Sequence, residues 1–580
     1  MAAYDLVITG GTVVDGTGAT PRVADVAVRD GILAAVTEPG VLDGAARERI
    51  DADGLLVTPG FVDIHTHYDG QATWDPLLTP SCWHGVTTVV AGNCGVGFAP
   101  AAPDRRDWLV SLMEGVEDIP GSALVEGMRW AWETFPEYLD ALESTPRSLD
   151  IGVQIAHGPL RAYVMGERGA RNEPATPADI ERMATLVAEA LRAGALGFST
   201  SRTLTHRAID GEPVPGTFAA EDELFGIGRA LRDVGAGVFE VAPAGIVGAD
   251  HADPYKEVAW MTRLAKEIDR PVTFGMNQTN DSPREYLDLL AAATAAAEAG
   301  DPLIPQVAGR ASGLLFGLET TYHPFMHRPT WQRLVSLAPA QRLDRLREPA
   351  IRDAILSEPD PEGRPLILVL FADRTIPVTD ELDYEPAVEA SIGHLARTSG
   401  RTAFEVLYDL TVAGGPDQLF MMPIQNYADS SLDPVREMLL HPQAVIGLGD
   451  GGAHCGIICD ASIPTTNLTL WTRDRTRGPR LPLQYIIRKQ TRDTARLFGI
   501  RDRGVIAPGY KADLNLIDYE RLRVRAPQIV HDLPGGAKRF IQRADGYAAT
   551  LVSGQVVIRD GEPTDARPGR VIRGEQPSPR

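Results

Sequence analysis

The chain is expected to be an α/β protein: a (β/α)8 barrel of TIM type, a small β-sandwich built from both chain ends, and an insertion between strands seven and eight. Three observations lead there. Through the middle of the chain, apolar strand-like runs alternate with helical stretches, the pattern of a βα repeat. Eight such runs occur, ending near His65, Asn93, His157, Ser199, Val241, Asn277, Val307 and Asp450. A length of 580 residues also exceeds what one small core organises, so a large domain with a satellite is expected.

Residues 1–56 read as short strands. Leu6-Val-Ile-Thr, Thr12-Val-Val and Val26-Ala-Val-Arg are separated by the turn pairs Gly10-Gly11, Asp15-Gly16 and Asp30-Gly31. Residues 501–573 behave alike, with Ala512-Asp-Leu-Asn-Leu-Ile and Leu551-Val-Ser-Gly-Gln-Val-Val-Ile. Neither end buries a two-sided sheet alone, so the two are expected to pack together as the sandwich. Residues 57–500 then form the barrel, with helices over 180–193, 221–234 and 283–299. The interval of about 309–442 before strand eight is too long for a plain connection. It reads as a mainly helical insertion, either a lid over the site or a module that only packs. Residues 574–580 read as a mobile tail.

Composition removes several function classes. The formal charge of −22 opposes binding to a phosphate backbone, which is held by basic surface. No run of about 20 apolar residues is present to cross a membrane, and the amino terminus lacks a basic start and apolar core. Four cysteines make no disulfide framework, so a reducing cytoplasm is expected. Neither nucleic acid nor membrane is expected as a partner, a small-molecule substrate is, and subunit number stays open, with a homo-oligomer among the options.

Chemistry concentrates at the strand ends. In Val62-Asp-Ile-His-Thr-His, His65 and His67 are two apart, so on an extended strand both imidazoles enter one site. Neutral imidazole is the commonest metal ligand. Asp450 follows an apolar run in Val445-Ile-Gly-Leu-Gly-Asp-Gly-Gly-Ala-His. A carboxylate there can bind the metal and take a proton from water whose pKa the metal lowers to roughly 7. Cys94 closes strand two in Gly92-Asn-Cys-Gly. As a thiolate it would be a further ligand, and as a thiol a small core residue.

Longer motifs resemble a known family. Phe61-Val-Asp-Ile-His-Thr-His-Tyr-Asp-Gly-Gln, Gly92-Asn-Cys-Gly-Val-Gly-Phe-Ala-Pro and Ala195-Leu-Gly-Phe-Ser-Thr are similar to the N-acyl-D-amino-acid deacylases (D-aminoacylases) of the metal-dependent amidohydrolase superfamily. Gly504-Val-Ile-Ala-Pro-Gly-Tyr-Lys-Ala-Asp-Leu and Pro534-Gly-Gly-Ala-Lys-Arg resemble that group's return to the β-sandwich. The resemblance implies zinc on His65, His67, Cys94 and Asp450, with Asp450 as the general base. Many relatives bridge two metals with a carboxylated lysine on strand four. Here the first lysine is Lys256, so Cys94 is the natural substitute.

The chain also departs from that pattern. The family's histidines at the ends of strands five and six are missing from Val238-Phe-Glu-Val-Ala-Pro and Val272-Thr-Phe-Gly-Met-Asn-Gln. Glu240, Asn277 or Gln278 could offer oxygens, but amides are poor zinc ligands. One zinc ion is therefore expected, with a second site doubtful. An arginine that would clamp a substrate carboxylate is also absent after strand eight, leaving Arg161 and Arg202 to do so from other loops. His157, His206 and His454 are further candidates for contacting the substrate or supporting the site; His323 and His327 read as surface residues. The expected activity is amide C–N hydrolysis by metal-activated hydroxide, of N-acyl-(D-)amino acid deacylase type. A cyclic-amide (hydantoinase-type) or other amide or ester hydrolase is the alternative, and a non-catalytic scaffold the second.

Overall fold

The computed structural model describes residues 3–42, 46–360, 367–380 and 382–579. Its parallel strands are Phe61–Asp63, Val86–Ala91, Asp150–Val153 (continued beyond Gln154 by Ile155–Ala156), Gly197–Ser201, Val238–Ala242, Val272–Met276, Leu303–Val307 and Val445–Ile446. We number them strands one to eight. They are rich in β-branched and aromatic residues and almost wholly buried, as strands covered on both faces must be.

Strands one, two and the first part of three form one parallel sheet; the second part of three and strands four to eight form another, each pairing with its sequence neighbour. A parallel bridge between Thr66 and Gly451 joins the segments after strands one and eight. His67 N donates to Gly451 O at 2.8 Å in that bridge. Residues near 66 and residues near 450, far apart in sequence, thus become neighbours. Strand eight stops at Ile446, four residues short of the expected Asp450. Leu448 (φ 57°) and Asp450 (φ 44°) turn into the left-handed region, which ends extended pairing.

The two chain ends share one nine-stranded sheet. Leu56–Pro59 pairs antiparallel with Leu514–Ile517, and the sheet buries Leu6, Ile8, Val26, Val57, Leu514 and Leu551 together. Arg503 ties this region to the parallel strands. Its guanidinium donates to Asp150 Oδ2 at 2.5 Å and to Thr88 Oγ1 at 2.9 Å, while Lys511 lies 2.9 Å from Asp150 and 2.7 Å from Asp513. Within the tail, residues 574–579 are described and make contacts with the rest of the chain. Arg501 N donates to Gln576 O and Gln576 N to Gly499 O, and Glu575 pairs with Arg270.

The described part of the insertion is mainly helical, as expected, and carries a small sheet besides. Ser312–Phe316, Ile376–Pro377 and Phe420–Gln425 form an antiparallel sheet against the helices, with a core that includes Phe316, Phe325, Trp331, Ile355, Tyr408 and Phe420. Leu314 and Phe316, alternating opposite Met422 and Phe420, support that sheet. Residues 361–366 and 381 lie outside the described residues. The insertion reaches the loop after Asp450: Leu315 N donates to Ile457 O at 2.7 Å and Thr321 N to Gly456 O at 3.1 Å. Contrary to the surface reading, His323 is buried and stacks on Trp331 at 4.0 Å.

Candidate metal centre and active site

His65 and His67 leave the end of strand one, held from behind by Thr66, whose N–H and hydroxyl both donate to Val90 O on strand two. Cys94 enters from strand two in a left-handed turn (φ 55°), which Gly95 (φ 68°) continues; a side chain on Gly95 would meet Ser201 N at 2.7 Å. Non-glycine residues held at positive φ gather where the surrounding structure imposes them, and Cys94, Asp450 and His454 all belong to this set.

The imidazoles of His65 and His67 and the Cys94 thiol offer ligand atoms all within 4.8 Å of one another, and all three are buried. Cys94 Sγ lies 3.3 Å from His65 Nε2. Asp450 Oδ1 lies 3.4 Å from His65 Nε2 and 3.7 Å from His67 Nε2, so it faces the same space. Its other oxygen is 3.9 Å from His454 Nε2. Asp450 and His454 are partly exposed, whereas the histidines behind them are sealed. The carboxylate therefore stands between the sealed group and solvent.

Acidic groups crowd this space. Burial raises Asp63 to about 7, Glu240 to about 8 and Asp69 to about 6, and raises Glu117 as well. Burial, then Glu240 and Glu117, push the Cys94 thiol well above its ordinary value. His67 is raised to about 9: burial lowers it, but Glu117 and Asp450 together outweigh burial. His65 falls to about 4, chiefly through burial. Burial would raise Asp450 too, yet His67, His65 and His454 hold it below its ordinary value, so it is ionised at neutral pH. Several buried polar atoms lack a hydrogen-bond partner, among them Glu240 Oε1, Glu117 Oε1, Asp63 Oδ2 and His67 Nδ1. Such groups are costly without compensation. Two imidazoles, a thiol and a carboxylate converging among unneutralised acids suit a divalent cation, which would supply the missing charge and ionise the thiol.

The amidohydrolase family matches residues 48–558. The chain belongs to the amidohydrolase family. Among its relatives, the D-aminoacylase of Alcaligenes xylosoxydans xylosoxydans is 28% identical, over 98% of this chain and 97% of that protein. The N-acyl-D-aspartate deacylase of the same organism is 29% identical, over 98% and 95%. A D-aminoacylase crystal structure superposes with a TM-score of 0.63 at 26% identity, covering 99% of this chain and 100% of its own. Another, at TM-score 0.64, 25% identity and the same coverage, is described with a binuclear metal centre in which one metal activates and the second attenuates. The protein is thus a D-aminoacylase-like, metal-dependent amidohydrolase acting on C–N bonds other than peptide bonds.

The other residues nominated from sequence divide sharply in this amidohydrolase. Glu240 faces the centre: its Oε2 accepts from Cys94 N at 3.0 Å. His206 is pushed down to about 3 by burial first, then by His454 and His67, which puts it in the field of the same site; its Nδ1 lies 3.0 Å from Ser201 Oγ. Arg161 and Arg202 each have an internal carboxylate partner. Arg161 is buried and pairs with Glu223, and Arg202 makes a two-pronged bond to Glu257 at 3.1 and 3.2 Å. Each guanidinium is thus held by an internal carboxylate, Arg202 also donating to Ala219 O at 2.7 Å. His157 has both ring nitrogens engaged, with Thr200 Oγ1 at 2.9 Å and Glu223 Oε1 at 3.0 Å. Asn277 accepts from Asn426 Nδ2 at 2.8 Å, which ties the end of strand six to the chain beyond Gln425 and leaves it out of the donor cluster.

Three residues of the site were not anticipated. Glu117 ends the helix Arg106–Glu117, with Oε1 3.3 Å from His67 Nδ1 and Oε2 3.8 Å from His454 Nε2. Gln306 on strand seven accepts from or faces His65 Nδ1 at 3.1 Å. Asp63 Oδ1 accepts from His65 N at 3.2 Å. Each is a polar residue at a position where the burial pattern calls for an apolar one, and that mismatch was their signal.

Proposed function

We propose that this amidohydrolase deacylates N-acyl amino acids, with the D-series preferred, using one zinc ion held by His65, His67, Cys94 and Asp450. The observation that carries the reading is the convergence of two buried imidazoles and a thiol beside an ionised, partly exposed carboxylate. The two parallel sheets read as arcs of one eight-stranded barrel, closed by the Thr66–Gly451 bridge, with the site at the carboxyl ends of its strands. Residues 1–56 and 501–573 read as the companion domain. Bound there, the ion would polarise the scissile carbonyl and make water nucleophilic at neutral pH.

The chain's own residues account for the proton. Asp450 is ionised, lies at the open side of the cluster and accepts the proton released as water attacks. It then delivers that proton to the departing nitrogen, which must leave as a neutral amine. His454, 3.9 Å from Asp450 Oδ2, adds to His67 and His65 in keeping the carboxylate charged. Cys94 supports one tight ion in place of a lysine bridge. A second tight ion would lack imidazole donors from strands five and six, where Glu240 lies within the one and Asn277 directly follows the other.

Steady-state assays of the zinc-loaded protein on N-acyl-D- and N-acyl-L-amino acids, cyclic imides and simple amides test the substrate. The expected result is a kcat/KM for the D-series at least tenfold above the others. Preference for the cyclic imides would move the protein to the hydantoinase-type alternative.

A further inference from the structure

We infer that Glu117 is the positioning residue of the metal centre, fixing His67 so that its Nε2 points at the ion. The inference rests on the reading that His65 and His67 hold that ion. A histidine can present only one ring nitrogen to a metal, and the hydrogen bond made by the other nitrogen sets both tautomer and ring angle. In this chain the two histidines are backed differently. His65 Nδ1 faces the neutral amide oxygen of Gln306 at 3.1 Å. His67 Nδ1 faces the carboxylate of Glu117 at 3.3 Å.

Both atoms of the second pair are buried, and neither has a formed hydrogen bond. They stand within reach of each other with the alignment still bent. A slight rotation of the His67 ring, such as coordination at Nε2 would impose, turns the approach into an N–H···O bond and satisfies both atoms at once. With Nδ1 protonated, Nε2 keeps its lone pair for the ion. The adjacent negative charge strengthens that lone pair as a donor, which a neutral amide does less well.

The helix holding Glu117 is built to fix it. Leu109, Leu112, Met113 and Val116 are buried on the same helix, so the glutamate is carried into the core by an apolar stripe. His454 N donates to Glu117 O, and Oε2 of the same residue approaches the His454 ring. One residue therefore braces a metal-ligating histidine and the histidine that faces the general base. Asp118, next in the chain, accepts from Gly456 N at 2.8 Å and from Thr321 Oγ1 at 3.1 Å, anchoring the helix end to both the loop after Asp450 and the insertion.

The test uses the full-length protein, stripped of metal and titrated with zinc against a competing chelator. Glu117→Gln, which keeps shape and acceptor oxygen, and Glu117→Ala, which removes both, are compared with wild type. A weakening of zinc affinity by about 10–100-fold is expected for Glu117→Ala, with a smaller loss for Glu117→Gln. The visible spectrum of the cobalt(II)-substituted protein should change in Glu117→Ala and be largely restored in Glu117→Gln, and kcat should fall more than KM rises. Zinc affinities within twofold of wild type in both folded variants would overturn the assignment. Should wild type itself bind no zinc, the reading of the whole site fails with it, and that outcome is distinguishable because it precedes any substitution.

Discussion

Replacing Asp450 by asparagine is expected to reduce kcat by about 10²–10⁴-fold, the usual contribution of a positioned general acid–base group. Asparagine fills the same volume and offers one oxygen at the same place, but it accepts no proton. The reason to expect the upper part of that range is electrostatic. Asp450 is held ionised against burial by His67, His65 and His454, so three imidazoles are arranged around this one charge. Because Asp450 is partly exposed and makes no load on the core, circular dichroism and the unfolding midpoint should stay close to wild type. The amide is also a weaker zinc donor, so turnover must be measured at saturating zinc to separate base chemistry from ion loss. Turnover near the wild-type rate under those conditions would remove Asp450 from the mechanism.

The second large effect lies far from the reacting groups. Arg503→Met should cost about 3–5 kcal/mol, the usual penalty for removing one partner of a buried pair. Arg503, Asp150 and Asp513 are all nearly sealed, and the variant leaves two carboxylates to the single ammonium of Lys511. Against a typical total of about 5–15 kcal/mol, that loss is severe. The pH dependence has a definite sign. Burial pushes Asp150 up, but Lys511 and Arg503 outweigh it and bring the carboxyl from 3.8 to about 2. A depressed carboxylate contributes stability above its unfolded value and loses it as pH falls through the folded one. The stability gap between wild type and Arg503→Met should therefore be full above about pH 4 and shrink toward pH 2, as read from urea midpoints. A gap that is absent at pH 7 would show that the network does not hold the terminal sheet to the parallel strands.

The site was legible in sequence where its residues sit at strand ends. His65, His67 and Cys94 each come just after an apolar strand, and the structure gathers all three. Asp450 could be named but its backbone could not: the strand stops at Ile446 because left-handed residues follow it. Glu117 escaped because it belongs to a helix with no motif, although a glutamate four residues after Met113 on a buried stripe is a local conflict that asks for a reason. The internal partners of Arg161 and Arg202 were not legible because an arginine does not announce its partner. Glu223 is 62 residues from the first and Glu257 is 55 from the second, and only the fold brings them together. The sheet of the insertion was missed for the same cause, since Ser312–Phe316 finds its partner strand some hundred residues later.

Zinc titration of the chelator-stripped protein, with turnover of an N-acyl-D-amino acid recorded at each addition, tests the central claim most directly. Activity should be absent at the start, rise linearly and break at one equivalent, with no further gain beyond it. Full turnover by protein shown by elemental analysis to hold no metal would contradict the assignment of His65, His67, Cys94 and Asp450 to a metal centre.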